Sequence, residues 1–404
     1  MTTRAPWLHV IGIGDDGLDS LTPATRAVLE SAEVIFGADR HHALTNRLKA
    51  ERRAWPSPFD ALISDLRALR GKRVAVLATG DPLWYSVGAR IGREIDPAEI
   101  TYHPQFSAFQ LAACRLGWSL ADCETLTIHG RPAAQIVPFL APRQRLLILT
   151  KDAQSPSEVA GLLTERGYGA SRLTVLAHMN GADEARFEGT AADWSHAVPD
   201  FHTLAVECIA DEGAALLPRT GLPDDAFLSD GNMTKRETRA VTLAKLAPAR
   251  GALLWDIGCG SGSVAIEWMR AARDARAIGI ERRADRRDMA TTNAVTLGAP
   301  ALKLIDGEAP AALDGLPAPD AVFIGGGLTR AVFDAAWSAL KPHGRLVANT
   351  VTLEGEAALL ALHAEFGGEL VRLSVERAKP VGRLHGWKPF MTVTQWSLTK
   401  GVIA

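Results

Sequence analysis

The stretch LLWDIGCGSGSVAIEW, Leu253 to Trp268, runs an apolar strand into Gly258, Gly260 and Gly262 and opens a helix directly after them. Glycines at that point let the backbone turn tightly and approach a ligand with no Cβ in the way. The helix N-terminus adds unpaired N–H groups and the positive end of a dipole. The next apolar stretch, Ala277 to Ile280, closes on Glu281, and a carboxylate there can accept both hydroxyl protons of a ribose. With Cys259 and Ser261 inside the turn, these residues read as a nucleoside-cofactor site. Cys259 reads as a small packing residue.

A second glycine set, Gly12, Gly14 and Gly17, has the form GxGxxG. In a dinucleotide fold the helix opens at the glycines, so that its N-terminus meets the pyrophosphate. Here the first helix signal is Thr22 as N-cap with Pro23 at the first helical position. Leu18 to Leu21 therefore separate turn from helix, which departs from the nicotinamide-dinucleotide pattern. On these glycines alone, a tight strand-to-loop turn and a ligand loop both stay open. His41 and His42 have no third ligand in view, so no metal site is expected.

The elements that must position these residues alternate strand and helix. In the first half, strands are expected from Trp7, at Glu33 to Arg40 (running into a turn), Arg73 to Ala78, Arg145 to Thr150, Leu173 to His178 and His202 to Ile209. Helices are expected at Pro23 to about Ala32, after Pro82 to about Arg93, and from Ser155 to about Arg166 behind a capping box of Ser155 and Glu158. The stretch 211–230 loses periodicity and reads as a linker between domains 1–210 and 231–404. A second capping box, Thr234 with Glu237, opens a helix to about Leu246. Strands at Leu253 to Ile257, Ala277 to Ile280, Leu302 to Ile305, Ala321 to Ile324 and Arg345 to Ala348 then argue a parallel, doubly wound α/β sheet. Leu370 to Val375 and Phe390 to Leu398 would close it as an antiparallel edge. Trp268 and Trp337 read as core.

The length of 404 residues suggests two or three domains. A net charge of −2 gives no electrostatic reason to expect a nucleic-acid partner. The four cysteines, Cys114, Cys123, Cys208 and Cys259, show no spacing of a zinc site or redox pair. No apolar run approaches the roughly 20 residues that span a bilayer. The opening residues lack a secretory h-region. A cytoplasmic protein without a membrane partner is expected.

VIGIGDDGLDSLTPATRAVLESAEVIFGADR, LATGDPLWYSVGARI and PQFSAFQLAA resemble the three signatures of the tetrapyrrole methylase family over roughly residues 7–210. The resemblance implies a two-lobed α/β fold with S-adenosylmethionine in its cleft, contacted around Gly80, Asp81, Ser107 and Ala108 and near Ala177 and Met179. Gly12 and Gly14 would then face the substrate. Many members have Gly after the proline of the third signature, where this chain has Gln105. The second half resembles the Rossmann-like class I methyltransferases. Its GNMTKRETRAVTLAKL, DGEAPAAL and PDAVFIGGGL place it near a subgroup that methylates carbon 15 of a cobalamin precursor and decarboxylates it. That implies cofactor contacts from Thr234, Gly258 to Gly262, Glu281 and Ala309; capping alone is the other reading of Thr234. Gly325 to Gly327 stand where many amino-group methyltransferases carry an Asp/Asn-Pro-Pro-aromatic motif, which suits a carbon nucleophile.

A fusion of the two halves resembles enzymes that methylate carbons 5 and 15 of a tetrapyrrole, with no metal required and with self-association implied. A substrate rich in carboxylates calls for cations. Arg377, Lys379, His385 and Lys388, with Arg383 among them, are candidates; a solvated charged face is the alternative. Arg282 and Arg283 read equally as helix-surface residues. An RNA methyltransferase pair, an NAD-dependent oxidoreductase using the N-terminal glycines, and a cofactor-binding sensor without turnover remain as other readings.

Overall fold

Leu8–Ile13 (β1) is buried at every residue but His9, as a parallel strand covered on both faces must be. It pairs in parallel with Val74–Thr79 (β4) and Ile100–His103 (β5), while β4 pairs with Val34–Phe36 (β2) and β2 with Glu51–Arg53 (β3). The order is β3-β2-β4-β1-β5. Helices Pro23–Glu30 (α1), Asp39–Leu44 (α2), Leu62–Arg67 (α3) and Val87–Glu94 (α4) make the crossovers. Thr22 caps α1 as expected, its hydroxyl accepting from Thr25 N–H at 3.2 Å.

The computed structural model describes residues 6–401. Met1 to Ala5, part of the opening on which the expectation of no leader rests, lie outside the described residues. The chain divides into two compact units, Met1–Arg131 with Ala141–Ala214, and Pro132–Leu140 with Ala215–Ala404.

The first unit continues through Ala108–Leu116 (α5) into a mixed sheet. Its strands are Cys123–Thr127 (β6), Arg145–Leu149 (β7), Arg172–Ala177 (β8), Ala185–Thr190 (β9) and His202–Glu207 (β10), in the order β6-β7-β10-β8-β9. Helix Ser155–Thr164 (α6) joins β7 to β8. The capping box at Ser155 does not form, because Ser155 is already the first helical residue. Asp152 satisfies the helix start instead, its carboxylate accepting from the N–H groups of Gln154 and Ser155, each at 3.1 Å.

In the second unit Arg236–Leu246 (α7) leads into Leu253–Ile257 (β11), Ser263–Ala271 (α8), Arg276–Glu281 (β12), Ala284–Thr296 (α9), Lys303–Asp306 (β13), Ala321–Ile324 (β14), Arg330–Ala339 (α10), Arg345–Thr350 (β15) and Leu353–Phe366 (α11). Glu369–Leu373 (β16) and Val393–Thr399 (β19) complete a seven-stranded sheet of order β13-β12-β11-β14-β15-β19-β16. The first five strands are parallel, and β19 runs antiparallel between β15 and β16. This is the doubly wound sheet with an antiparallel edge that the pattern predicts. Between β16 and β19 the chain makes a separate ribbon, Glu376–Val381 (β17) with Leu384–Pro389 (β18). One core layer gathers Trp255, Phe333 and Trp396, another Leu254, Trp268 and Phe323. Trp268 is core, and Trp337 is partly buried, stacking on Phe333 at 5.7 Å.

The non-periodic stretch from Ala215 folds with this second unit. Leu222 and Phe227 bury themselves against Ile266 and Leu297. The Glu267 carboxylate accepts from the N–H groups of Gly221 at 2.6 Å and Leu222 at 3.0 Å, and from Arg239 Nε at 2.6 Å. Both Arg239 and Glu267 have fully buried side chains. Such a pair is tolerated only when hydrogen bonds satisfy the remaining groups, and Arg239 also donates to the Thr234 and Leu222 carbonyls. The capping box of Thr234 and Glu237 is absent. Helix α7 starts at Arg236, whose N–H is taken by Asp224 at 2.9 Å. Among the described residues no helix is long and apolar enough to cross a membrane.

Candidate functional site

In the second unit the carboxyl ends of β11, β12, β14 and β15 open on a cleft of about 950 Å³. Ligands of open α/β sheets bind at that edge. The glycine turn forms its near wall. Gly258 has φ +71, and a Cβ there would stand 3.3 Å from the Gly326 backbone, so only glycine lets the two loops approach this closely. Gly258 and Cys259 donate to the Ile280 carbonyl, and Gly260 N–H donates to Glu281 Oε2 at 3.0 Å. Glu281 Oε1 accepts from Arg283 N–H at 3.0 Å. Both oxygens of this buried carboxylate are oriented by backbone, and each keeps acceptor capacity.

Of the residues the sequence singles out, Thr234, Gly258, Cys259, Gly260, Glu281 and Ala309 all line the cleft. Ser261 and Gly262 do not. Ser261 is buried with its carbonyl bound by Asn293, and Gly262 is the left-handed residue that opens α8. Cys259 packs toward Gly279, and burial pushes its thiol up, so it stays protonated. Gly325 to Gly327 line the cleft directly beside the glycine turn, Gly325 N–H donating to the Ile257 carbonyl at 3.0 Å.

Asp256, at the end of β11, is the cleft residue that sequence reading missed. Its Oδ2 accepts from Ala265 N–H at 3.0 Å, while Oδ1 is buried with no partner. Complete burial, reinforced by the nearby Glu281 charge and opposed by the Ala265 hydrogen bond, raises this carboxyl to about 7. The signal was available: an acid at the end of a central strand, two residues ahead of the glycine turn. Beneath the cleft, Asn349 and Gln395 both donate to Thr242 Oγ1, at 2.9 and 3.1 Å.

The cations of the tail fall into two groups. Arg377 pairs with Asp224 at 2.8 Å and Glu237 at 2.6 Å, and its guanidinium lies 5.1 Å over the ring of Phe390, which lines the cleft. Arg377 therefore braces the wall instead of facing the cavity. Lys379, His385 and Lys388 stand exposed on the β17–β18 ribbon and do not line the cleft. The cleft's own cations include Lys235, Arg282, Arg286 and Arg330. Arg286 is tied to Asp230 at 2.7 Å, and Arg283 pairs with Asp285.

In the first unit the three signatures converge on one spot. A Cβ on Gly12 would lie 2.1 Å from the Gly80 carbonyl and 2.8 Å from Gln105, and one on Gly80 would lie 3.2 Å from Ser107 Cα. Gly14 leaves room for the Asp16 carboxylate in the same way. Gln105 closes its loop by donating to the Ser20 carbonyl at 3.0 Å and accepting from Phe106 N–H at 3.0 Å. Ser107 caps α5, and Ala108 is its first residue. Asp81 Oδ1 accepts from Leu83 and Trp84 N–H groups. Ala177 ends β8, and Met179 packs with Phe109 of α5. His41 is buried, bonded to Thr79 and Ala38, and burial with the neighbouring Arg40 and His42 lowers it to about 4. Helix α1 opens at Pro23, away from the glycines, which argues against the dinucleotide reading.

The tetrapyrrole (corrin/porphyrin) methylase family matches residues 7–194, and the precorrin methyltransferase domain family matches residues 225–400. A precorrin-6Y C(5,15)-methyltransferase (decarboxylating) of Sinorhizobium sp is 48% identical over 401 residues, covering 98% of this chain and 97% of its own. Its namesake from Mycobacterium tuberculosis is 38% identical over 399 residues, covering 97% and 99%. A crystal structure of the C-terminal domain of precorrin-6Y C5,15-methyltransferase from Rhodobacter capsulatus is 49% identical. It covers 46% of this chain and 100% of that one, with a TM-score of 0.43.

Proposed function

The chain belongs to the precorrin-6Y C(5,15)-methyltransferase (decarboxylating) family, and from that premise we propose how its two units divide the work. The enzyme methylates a precorrin-6 intermediate at carbons 5 and 15 and removes the ring C acetate carboxyl, giving precorrin-8 in cobalamin biosynthesis. Residues 1–210 carry the carbon 5 step and residues 231–404 the carbon 15 step and the decarboxylation, with the stretch from Ala215 to Asp230 packed into the second unit. The observation that carries this division is that each unit gathers its own glycine loops at the carboxyl edge of a parallel sheet. The substrate is a small tetrapyrrole and not a nucleic acid, and the setting is the cytoplasm.

S-Adenosylmethionine, when bound, supplies an electrophilic methyl group on a sulfonium. Glu281 is built to accept from the ribose hydroxyls, while Gly258 and Gly260 keep the backbone close. Asp256 Oδ1, buried and unpartnered, is matched to a cationic group of the cofactor, whose charge would favour the ionised carboxylate. Thr234 and Ala309 complete that wall. In the first unit Gly80, Asp81, Ser107, Ala108, Ala177 and Met179 take the corresponding part, with Gly12 and Gly14 toward the substrate. Fixing carbon, methyl and sulfur in line contributes on the order of 7–11 kcal/mol.

Decarboxylation needs a sink for the electron pair of the broken C–C bond, and a protonated, conjugated pyrrolenine nitrogen of the substrate serves. The apolar groups Val351, Val375, Phe390 and Met391 on the cleft wall would desolvate the departing carboxylate. Lys379, His385 and Lys388 attract the substrate's other carboxylates from the ribbon. That ribbon also exposes Val381, Leu384 and Trp387, the last 73% accessible, and self-association of the chain belongs to the same reading.

The test is a mass spectrum of reduced precorrin-6 incubated with the protein and S-adenosylmethionine. Two added methyls with loss of one carbon dioxide is the expected product. One methyl with the carboxyl lost would leave the first unit without its assigned step. An unchanged competent substrate would remove the corrin assignment altogether.

A further inference from the structure

A second charged cluster lies in the first unit, at the carboxyl edge of its parallel sheet. Strands β1 and β4 lie side by side, and the chain leaves them in opposite directions, to β2 beyond β4 and to β5 beyond β1. The crevice between their ends is the switch point at which such sheets take ligands. Asp15 follows β1 there, and His178 follows β8 of the mixed sheet. They are 163 residues apart, yet His178 Nδ1 lies 2.9 Å from Asp15 Oδ2.

This contact is held from several sides. Arg40 Nη1 donates to Asp15 Oδ1 at 2.6 Å and its Nη2 to Thr79 Oγ1 at 2.8 Å. The Arg40 guanidinium lies 4.1 Å over the Phe201 ring, against which His178 also packs. Gly181 leaves space that a Cβ would take, 2.6 Å from Asp15 Oδ2. His178 has φ +47 and Asn180 φ +66, the left-handed turn that carries the chain out of β8 and that His and Asn adopt more readily than other non-glycine residues. When Asp15 accepts from Nδ1–H of the neutral ring, Nε2 carries the lone pair, and among the described residues nothing bonds to Nε2. The His178 side chain is 27% exposed.

We propose that His178 is the base of the first unit's methyl transfer, with Asp15 as its positioning residue; this rests on the assignment of the carbon 5 step to residues 1–210. The substrate's bridging carbon is an enamine whose nitrogen bears a proton. Its π pair forms the new C–CH₃ bond, and sulfur keeps the pair of the S–CH₃ bond that breaks. The resulting iminium N–H gives its proton to His178 Nε2, and the freed pair stays on the nitrogen of a neutral imine. Asp15 stabilises the imidazolium until solvent removes the proton.

The experiment uses the full chain and counts methyl groups by mass. His178→Ala should lower kcat for carbon 5 methylation about 100-fold or more, with KM for S-adenosylmethionine within about 3-fold, and added imidazole should restore the rate. In the unsubstituted protein, ¹⁵N spectra should show Nε2 of His178 shifting when substrate is added without methyl donor, and Asp15→Asn should abolish the Nδ1-protonated tautomer. An unchanged kcat in His178→Ala, a loss that imidazole does not rescue, or an Nε2 signal indifferent to substrate would each overturn the proposal. Gly80→Val separates the two levels. If carbon 5 methylation survives in it, the assignment of that step to the first unit is wrong; if it is lost there but persists in His178→Ala, only the base is wrong.

Discussion

The two glycine motifs of this chain are alike on paper and different in space. In the second unit the turn runs from β11 straight into α8, and Glu281 at the end of the adjacent strand bonds the turn's own N–H. In the first unit the glycines leave β1 into a single 3-10 turn, Gly17–Ser20, and the first α-helix starts only at Pro23. The site there is closed by Gly80, Gln105 and His178, brought from three other places in the sequence. A site built within one strand-helix-strand stretch is set by local geometry. A site assembled from four loops depends on both sheets of its unit being in place.

The sharpest way to break this comparison is to fill one glycine at a time. Gly258→Val should abolish carbon 15 methylation and decarboxylation while carbon 5 methylation continues, and Gly80→Val should do the reverse, both read by product mass. Each forces a branched side chain onto a positive φ and against backbone 3.1 to 3.3 Å away. Next in size is Arg239→Ala. Removing one partner of a buried pair costs about 3–5 kcal/mol, so the second unit's thermal transition should fall sharply while the first unit's stays put. Glu281→Ala should be milder, weakening S-adenosylmethionine binding to the second unit by about 10- to 100-fold in calorimetry, as loss of a charged hydrogen-bonding partner does.

The smallest effect concerns pH. Asp256 ionises near 7 in the folded protein and near 3.8 when unfolded. Because the folded value is the higher, the stability it contributes is complete below about pH 4 and lost as pH rises through 7. The melting temperature of the second unit should therefore decline between about pH 4 and 7 and level off above that, and Asp256→Asn should flatten that decline. Saturating S-adenosylmethionine should flatten it too, by pairing the carboxylate with a cation. A decline unchanged in Asp256→Asn would assign it to another group.

Much of the second unit was legible because its signals are local. Apolar runs bounded by glycine mark parallel strands buried on both faces, and a glycine turn followed by an acid marks the cleft. Thr234, Gly258, Gly260, Glu281 and Ala309 all reach it. What failed there were assignments that needed to know a side chain's partner. Thr234 looked like a cap, but Asp224 reaches the helix start from twelve residues upstream. Arg377 looked available to a substrate, but two carboxylates hold it. The stretch before Asp230 looked like a linker because its anchors, Glu267 and Arg239, lie elsewhere in the chain.

By itself the sequence determined the alternation of elements, the glycine turns and the acid that ends β12, since φ preferences, strand burial and helix starts are properties of neighbouring residues. Only the tertiary structure decided which polar atoms are left over. Asp256 became a raised, half-bonded carboxyl because its strand is central and covered. Asp15 became the partner of His178 because two sheets bring their ends together. Desolvation and charge pairing act through space, and no spacing along the chain records them.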